Sequence, residues 1–509
     1  MEASAQLLTM SGISKAFSGV PALTDVDFNI NRGEVHAISG QNGAGKSTLI
    51  KILTGVYQKD KGEIVFSGKQ IGNFNTPLEA QNAGISTIYQ ELSVIPCLSI
   101  AENIVLGREK LRRGAINWKS TREKATEILN ALGLDVNVRE LMSTQSVAMQ
   151  QMISIARAVS IDAKLIVMDE PTSSLNEQEV DRLFEMINRL KNNGIAVIFI
   201  SHRIDEIYRI CDTVTILRDG IREGSYKTSE LTKMSLILKM IGKSEDEFSK
   251  LNVRESRGLD FSNNEEVLIA EDLRYANRVH GISFSLKRGE ILGVAGLLGA
   301  GKTEIAKMVY GAIRKFNGKI LVFGSTKKKG PSASIKKKIG FLSEDRKEEG
   351  IFPILSMREN LAICALPQIS RFGIISRKKE MALVSEYIGK LDIKVANMNH
   401  QVRNLSGGNQ QKTMISRWLC TDPHILILDE PTRGVDVGAK LEIEKIIKSM
   451  SDDDVSLLII NSEIDQLARS SDRVLVISNG RITDEFEADD VNEGAITDSI
   501  ASVREEVSV

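Results

Sequence analysis

The chain has 509 residues, 42% apolar and 26% charged, with a formal net charge of −1. That length exceeds what one hydrophobic core organises and suits two domains of about 250 residues. The near-zero charge excludes a global basic field for nucleic acid. No run of about 18 uncharged apolar residues occurs, so no segment is expected to span a membrane. Met1-Glu2-Ala3-Ser4-Ala5 lacks the basic-then-apolar order of a signal peptide. The cysteines at 97, 211, 364 and 420 form neither a metal-ligand spacing nor a disulfide framework, as suits a reducing cytoplasm.

Along the first half, Glu34–Ser39 reads as a short apolar strand running into Gly40-Gln41-Asn42-Gly43-Ala44-Gly45-Lys46-Ser47, and Ser47–Leu53 continues as a helix. The loop fits G-x-x-x-x-G-K-[ST]. Small residues let its backbone N–H groups wrap a triphosphate, Lys46 reaches the β- and γ-phosphates, the Ser47 hydroxyl ligates Mg²⁺, and the helix N-terminus, with Thr48, adds positive potential. Leu165–Met168 is a continuous apolar strand ending in Asp169-Glu170-Pro171-Thr172. There Asp169 is expected to hold Mg²⁺ and Glu170 to polarise the attacking water as general base. Ala196–Ile200 is a further buried strand.

A polar stretch around residues 244–262 reads as a linker between a first domain, 7–243, and a second, 263–506. The second half then repeats the order. Glu290–Ala295 leads into Gly296-Leu297-Leu298-Gly299-Ala300-Gly301-Lys302-Thr303, and Ile425–Leu428 ends in Asp429-Glu430-Pro431-Thr432, followed by Leu457–Ile460. Glu430 is the second candidate base, and Thr303 and Asp429 the second pair of metal ligands. The repeat at half the chain length marks an internal duplication. Alternating strands and helices imply an α/β fold with a mainly parallel sheet in each half. Lys327–Lys329 and Lys336–Lys338 read as solvated faces beside a turn.

Leu405-Ser406-Gly407-Gly408 opens a helix between these elements in the second half, and its serine hydroxyl, free N–H groups and dipole all suit phosphate. Leu-Ser-Gly-Gly followed by Asp-Glu-Pro-Thr, downstream of a phosphate loop, resembles the ATP-binding cassette family over nearly the whole chain, twice. The stretches LSGGNQQK (405–412) and TRGVDVG (432–438) narrow the resemblance to twin-cassette subunits that energise bacterial monosaccharide importers of the ribose/galactose/xylose/arabinose type.

The resemblance implies two tandem phosphate-loop ATPase domains, each with a helical and an antiparallel β subdomain. It implies ATP and Mg²⁺ as cofactors, a transmembrane permease dimer and a periplasmic or lipid-anchored sugar-binding protein as partners, and a peripheral place on the cytoplasmic membrane face. Head-to-tail pairing would set Lys46, Ser47, Gln90, Asp169, Glu170 and His202 against Ser406, Gly407 and Gly408. Gln90 would touch Mg²⁺ and the permease, and His202 the γ-phosphate. Gln90 to Ser93 and the insert to about Ala131 would receive a permease helix. Phe17 and Tyr275 are candidates for stacking on adenine.

The copies differ. Glu344 stands opposite Gln90 and Ser462 opposite His202, while Gln145-Ser146-Val147-Ala148-Met149 replaces the glycine clasp and Asn176 replaces Asp436. The expectation is that the site centred on Lys46 hydrolyses ATP and the one centred on Lys302 mainly binds it. Rival readings are a soluble twin-cassette ATPase acting on ribosomes or nucleic acid, and a regulatory ATP-binding module without turnover. Which sugar or sugar-like solute is carried stays open.

Overall fold

A computed structural model describes residues 6–89, 93–109, 111–112, 115–173, 175–201, 203–242, 261, 264–297, 299–487 and 490–506. The chain divides into two compact units, Met1–Glu245 and Asp246–Val509. Apart from Phe261, the expected linker lies outside the described residues.

The centre of the first unit is a six-stranded sheet in the order Ile221–Lys227, Thr213–Arg218, Val35–Ser39, Ala196–Ile200, Leu165–Asp169, Ile85–Ile88. All neighbours pair in parallel except the hairpin at the Ile221–Lys227 edge. Val35–Ser39 and Ala196–Ile200 are buried at every position, which is why they carry unbroken apolar runs instead of alternation. A four-stranded antiparallel sheet, Val20–Asn31, Gln6–Phe17, Lys61–Phe66 and Lys69–Ile71, packs beside it. Leu8, Phe28, Ile38, Leu49 and Val167 belong to the shared core. Helices Ile100–Val105, Trp118–Leu132 and Val147–Val159 form the insert.

The second unit repeats this plan. Its six-stranded sheet runs Ile339–Leu342, Ile425–Asp429, Ser456–Ile460, Ile291–Ala295, Arg473–Ser478, Arg481–Glu487. Its antiparallel sheet runs Val279–Lys287, Glu266–Tyr275, Asn317–Val322, Ser325–Thr326. Its insert holds helices Met357–Ala362, Arg377–Lys390 and Gly407–Leu419.

The inserts share a local device. Ser99 and Glu102 form a capping box, as do Ser356 and Glu359, which satisfies orphan amides at the helix start. Behind each box a buried asparagine brackets the incoming chain. Asn103 exchanges hydrogen bonds with the Ile95 backbone, and Asn360 does so with Phe352. Measured from the strand ends Ile88 and Leu342 to these asparagines, the second loop is three residues longer. The extra residues wind into a π-helical turn, Arg346–Gly350.

One expectation needs correction. Lys327 is buried, not solvated, and its ammonium lies 3.5 Å from the Tyr310 and Lys328 carbonyls. It pairs in register with Ile320, at the place where the first unit sets Ile71 against Ile64. Burial lowers its pKa to about 8. Sequence proximity to Lys328 and Lys329 disguised an apolar β position.

Candidate functional site

Parallel register brings the chemistry to one sheet edge. Asp169 sits opposite Ile200 at the carboxyl ends of adjacent strands, and Asp429 sits opposite Ile460. The phosphate loops leave from Ser39 and Ala295 at the same ends, where open parallel sheets bind ligands.

The loop glycines have two distinct reasons. A Cβ on Gly40 would lie 2.2 Å from the Leu217 carbonyl oxygen, and one on Gly296 would lie 2.2 Å from that of Ile477, so both are required by the loop's own packing. Gly43 and Gly299, at φ 85° and 82°, would meet nothing within 4 Å. They face open space and hold the left-handed turn that aims backbone N–H groups outward. Gly45 and Gly301 open the helices that begin at Lys46 and Lys302. Lys46 Nζ donates to the Gly40 and Gln41 carbonyls at 2.6 and 2.9 Å, and Lys302 Nζ donates to Gly296. Burial lowers the Lys302 pKa, against the opposing pull of Glu430 and Asp429.

The carboxylates are held in unusual surroundings. Burial raises the Asp169 pKa, the Glu170 charge adds to it, and Lys46 and Lys51 oppose it. Asp429 is fully buried and raised to about 7, chiefly by burial, with the nearby Thr303 hydroxyl pulling the other way. Among the described residues neither Asp429 carboxylate oxygen meets a donor in full hydrogen-bonding geometry, the Thr303 hydroxyl being the nearby polar group. A buried carboxylate of this kind is stabilised by a cation, so the residues present fit a divalent metal. Among the described residues no group of three or more His, Cys, Asp or Glu gathers as a metal cage. Glu170 and Glu430 adopt positive φ (48° and 50°), and their amides donate to Ile200 and Ile460 at 2.9 and 2.8 Å. Left-handed backbone at a non-glycine residue costs on the order of 1–3 kcal/mol and is concentrated at functional sites.

Gln90 and His202 lie outside the described residues. Their counterparts do not. Glu344 forms an ion pair with Arg433, and the first copy has Ser173 in place of Arg433. Ser462 hydrogen-bonds Glu430 through its hydroxyl and its backbone, which opposes the rise that burial imposes on that carboxylate.

The clasps correspond in form. Ser146 caps Val147–Val159 by accepting from Met149 N, and Ser406 caps Gly407–Leu419 by accepting from Asn409 N. Val147 is 48% exposed at the tip of the first. In the second, a Cβ on Gly408 would lie 2.6 Å from Ala439 Cβ, and one on Gly407 would lie 3.2 Å from the Gly434 oxygen. These glycines therefore serve close packing within their own unit. Asn176 and Asp436 both cap helices, Asn176 within a capping box with Glu179 and Asp436 by accepting from Ala439 N. Phe17 stands exposed at a strand end, edge-on to Tyr57 at 5.1 Å, and Tyr275 is half-buried at the end of Glu266–Tyr275.

Pattern reading missed three groups: Arg346, the Glu344–Arg433 pair and the buried Glu206. An unmatched arginine in the longer second loop was the available signal for the first.

A phosphate loop and an Asp-Glu strand end on parallel strands of one sheet, with a single strand between them, built twice, define a tandem nucleotide-binding ATPase. The chain belongs to the ABC transporter family, whose model matches residues 23–173 and 279–433, and each matched region is an ATP-binding cassette. It is 43% identical over 490 residues to the ribose import ATP-binding protein RbsA of Caldanaerobacter subterraneus, covering 96% of this chain and 97% of the relative. It is 40% identical over 499 residues to the fructose import ATP-binding protein FruK of Bifidobacterium longum, covering 97% of each. A crystal structure of a nucleotide-free ATP-binding cassette from an ABC transporter is 27% identical with a TM-score of 0.41, covering 46% of this chain and 95% of that one. Among the described residues no helix is long and apolar enough to cross a membrane.

Proposed function

We propose that this chain is the ATP-hydrolysing subunit of a monosaccharide importer. It would act at the cytoplasmic membrane face on a transmembrane permease dimer supplied by a periplasmic or lipid-anchored sugar-binding protein. The observation that carries this is identity of 40–43% running through both cassettes to subunits named for ribose and fructose import.

Within each cassette the phosphate loop binds ATP, with Lys46 or Lys302 set toward the β- and γ-phosphates. Ser47, Asp169 and Gln90 would hold Mg²⁺ in the first, and Thr303 and Asp429 in the second. The buried Asp429 carboxylate favours this. The bound cation would neutralise charge on the β- and γ-oxygens. Glu170 or Glu430 takes the proton of the attacking water.

The two sites divide the work. The first joins the Lys46 loop, Asp169, Glu170 and His202 to the Ser406–Gly408 clasp and hydrolyses ATP. The second mainly binds it. Three features support this division. Glu344 is tied up by Arg433, Ser462 replaces the imidazole and hydrogen-bonds Glu430, and Val147 puts an exposed branched side chain beside Ser146 where the second copy has glycine. The groove beyond Ile85–Ile88, lined by Tyr89, Ser93, Ser154 and Arg157, is the surface for a permease helix.

The test is reconstitution of the full chain with its permease and binding protein. ATP turnover is expected to rise with the sugar that raises the binding protein's melting temperature, and to vanish in Lys46→Ala. Turnover indifferent to every pentose and hexose would overturn the assignment.

A further inference from the structure

Arg346 opens the π-helical turn of the longer second-unit loop and spans two backbone carbonyls. Its guanidinium reaches the Gly407 carbonyl at 3.3 Å and the Gly434 carbonyl at 3.5 Å. Gly407 lies in the first turn of the clasp helix, and Gly434 follows the Asp429–Thr432 strand end. Among the described residues Arg346 has no ion pair, and its Nε is buried without a partner. Two residues earlier, Glu344 is paired to Arg433. Segment 344–346 is thus fastened to 433–434 twice, and one fastening continues to the clasp.

The neighbouring glycine is explained by the same contact. A Cβ on Gly407 would lie 3.3 and 3.4 Å from the two terminal nitrogens of Arg346. The first copy has Val147 at the corresponding place and no arginine between Gln90 and Arg108. Arginine and glycine occur together in one copy and are absent together from the other.

We propose that Arg346 is a positioning residue for ATP hydrolysis: by holding the Gly407 and Gly434 carbonyls together it sets the orientation of the Ser406–Gly408 clasp. It would act through these backbone carbonyls. The proposal rests on the reading above that this clasp grips the nucleotide hydrolysed at the first cassette. A planar guanidinium can direct separate N–H groups at two carbonyls, which a lysine ammonium on a flexible stem does poorly. Mispositioning of a clasp that acts on the reacting phosphate lowers turnover without weakening ground-state binding.

The experiment uses the full chain with its permease and compares R346A, R346K, S406A and the double variant S406A/R346A. Steady-state ATP turnover, KM for ATP and vanadate trapping of ADP are measured, with melting temperature followed in parallel. Expected are a fall in kcat of about tenfold or more in R346A and R346K, loss of trapping, unchanged KM and a double variant no worse than S406A. R346K behaving like the unsubstituted chain would show that charge alone suffices and overturn the proposal. So would R346A turning over normally while S406A fails, or additive losses in the double variant. S406A turning over normally would instead overturn the underlying role of the clasp. If R346A fails to fold, R346K carries the decision.

Discussion

The hydroxyl of Thr172 donates to the buried carboxylate of Glu206 at 2.8 Å, directly behind the Asp169-Glu170 strand end. The same carboxylate accepts from Ser201 at 2.8 Å and pairs with Arg203 at 2.9 Å, so it grips both residues that flank position 202. In the second unit Thr432 donates at 2.6 Å to Gln466, a neutral amide, and Asn461 replaces Ser201. These threonines are thus anchored by a carboxylate in one cassette and by an amide in the other, where Gln466 in turn donates to Glu463, the ion-pair partner of Lys440.

Glu206→Ala should destabilise the first unit by about 2–4 kcal/mol, because two buried hydroxyls lose their acceptor. Glu206→Gln keeps an acceptor for them and should cost about 1 kcal/mol. Calorimetric melting checks both. Equal losses would mean that the ion pair with Arg203, not the hydroxyl network, is what matters.

The proposed division of labour makes unequal demands on the two glutamates. Glu170→Gln should lower ATP turnover of the assembled transporter by about 10²-fold or more, as expected on losing a general base. Glu430→Gln should change it only a few-fold. Matching losses in single-turnover and steady-state assays would refute the asymmetry.

Gly408→Ala forces a methyl group to 2.6 Å from Ala439 Cβ. Overpacking of this kind should cost about 1–3 kcal/mol of second-unit stability, while Ala148→Gly in the first unit should have a small effect. A Gly408→Ala chain with unchanged melting but reduced turnover would instead assign the glycine to nucleotide approach.

Lys327→Ile, which installs the residue found at position 71, should stabilise the second unit at pH 7 by about 2 kcal/mol, allowing for solvent screening of the ammonium. The sign follows from a depressed folded-state pKa. Below about 8 the lysine is charged in both states and its burial penalty is full. Between about 8 and the ordinary 10.5, the unfolded chain binds more protons, so the unsubstituted protein gains stability as pH rises. The advantage of Lys327→Ile should therefore shrink over that window. An advantage independent of pH in denaturant melts would show that the ammonium is solvated.

Much of this architecture is written locally. Unbroken apolar runs such as Ala196–Ile200 announce strands covered on both faces. Phosphate loops and Asp-Glu ends announce nucleotide chemistry, because few residue types place N–H groups and carboxylates at that spacing. The linear order of these motifs was enough to find both cassettes.

What the chain order could not decide depends on contacts between residues far apart in sequence. That Asp429 is fully buried, that Glu344 is neutralised by Arg433, that Gly408 lies against Ala439 and that Lys327 occupies an apolar position were settled only by packing. Local sequence specifies the chemical groups a site contains. Burial and the charge opposite each group set their pKa values and their freedom to move, and both exist only once the strands and loops have closed around them.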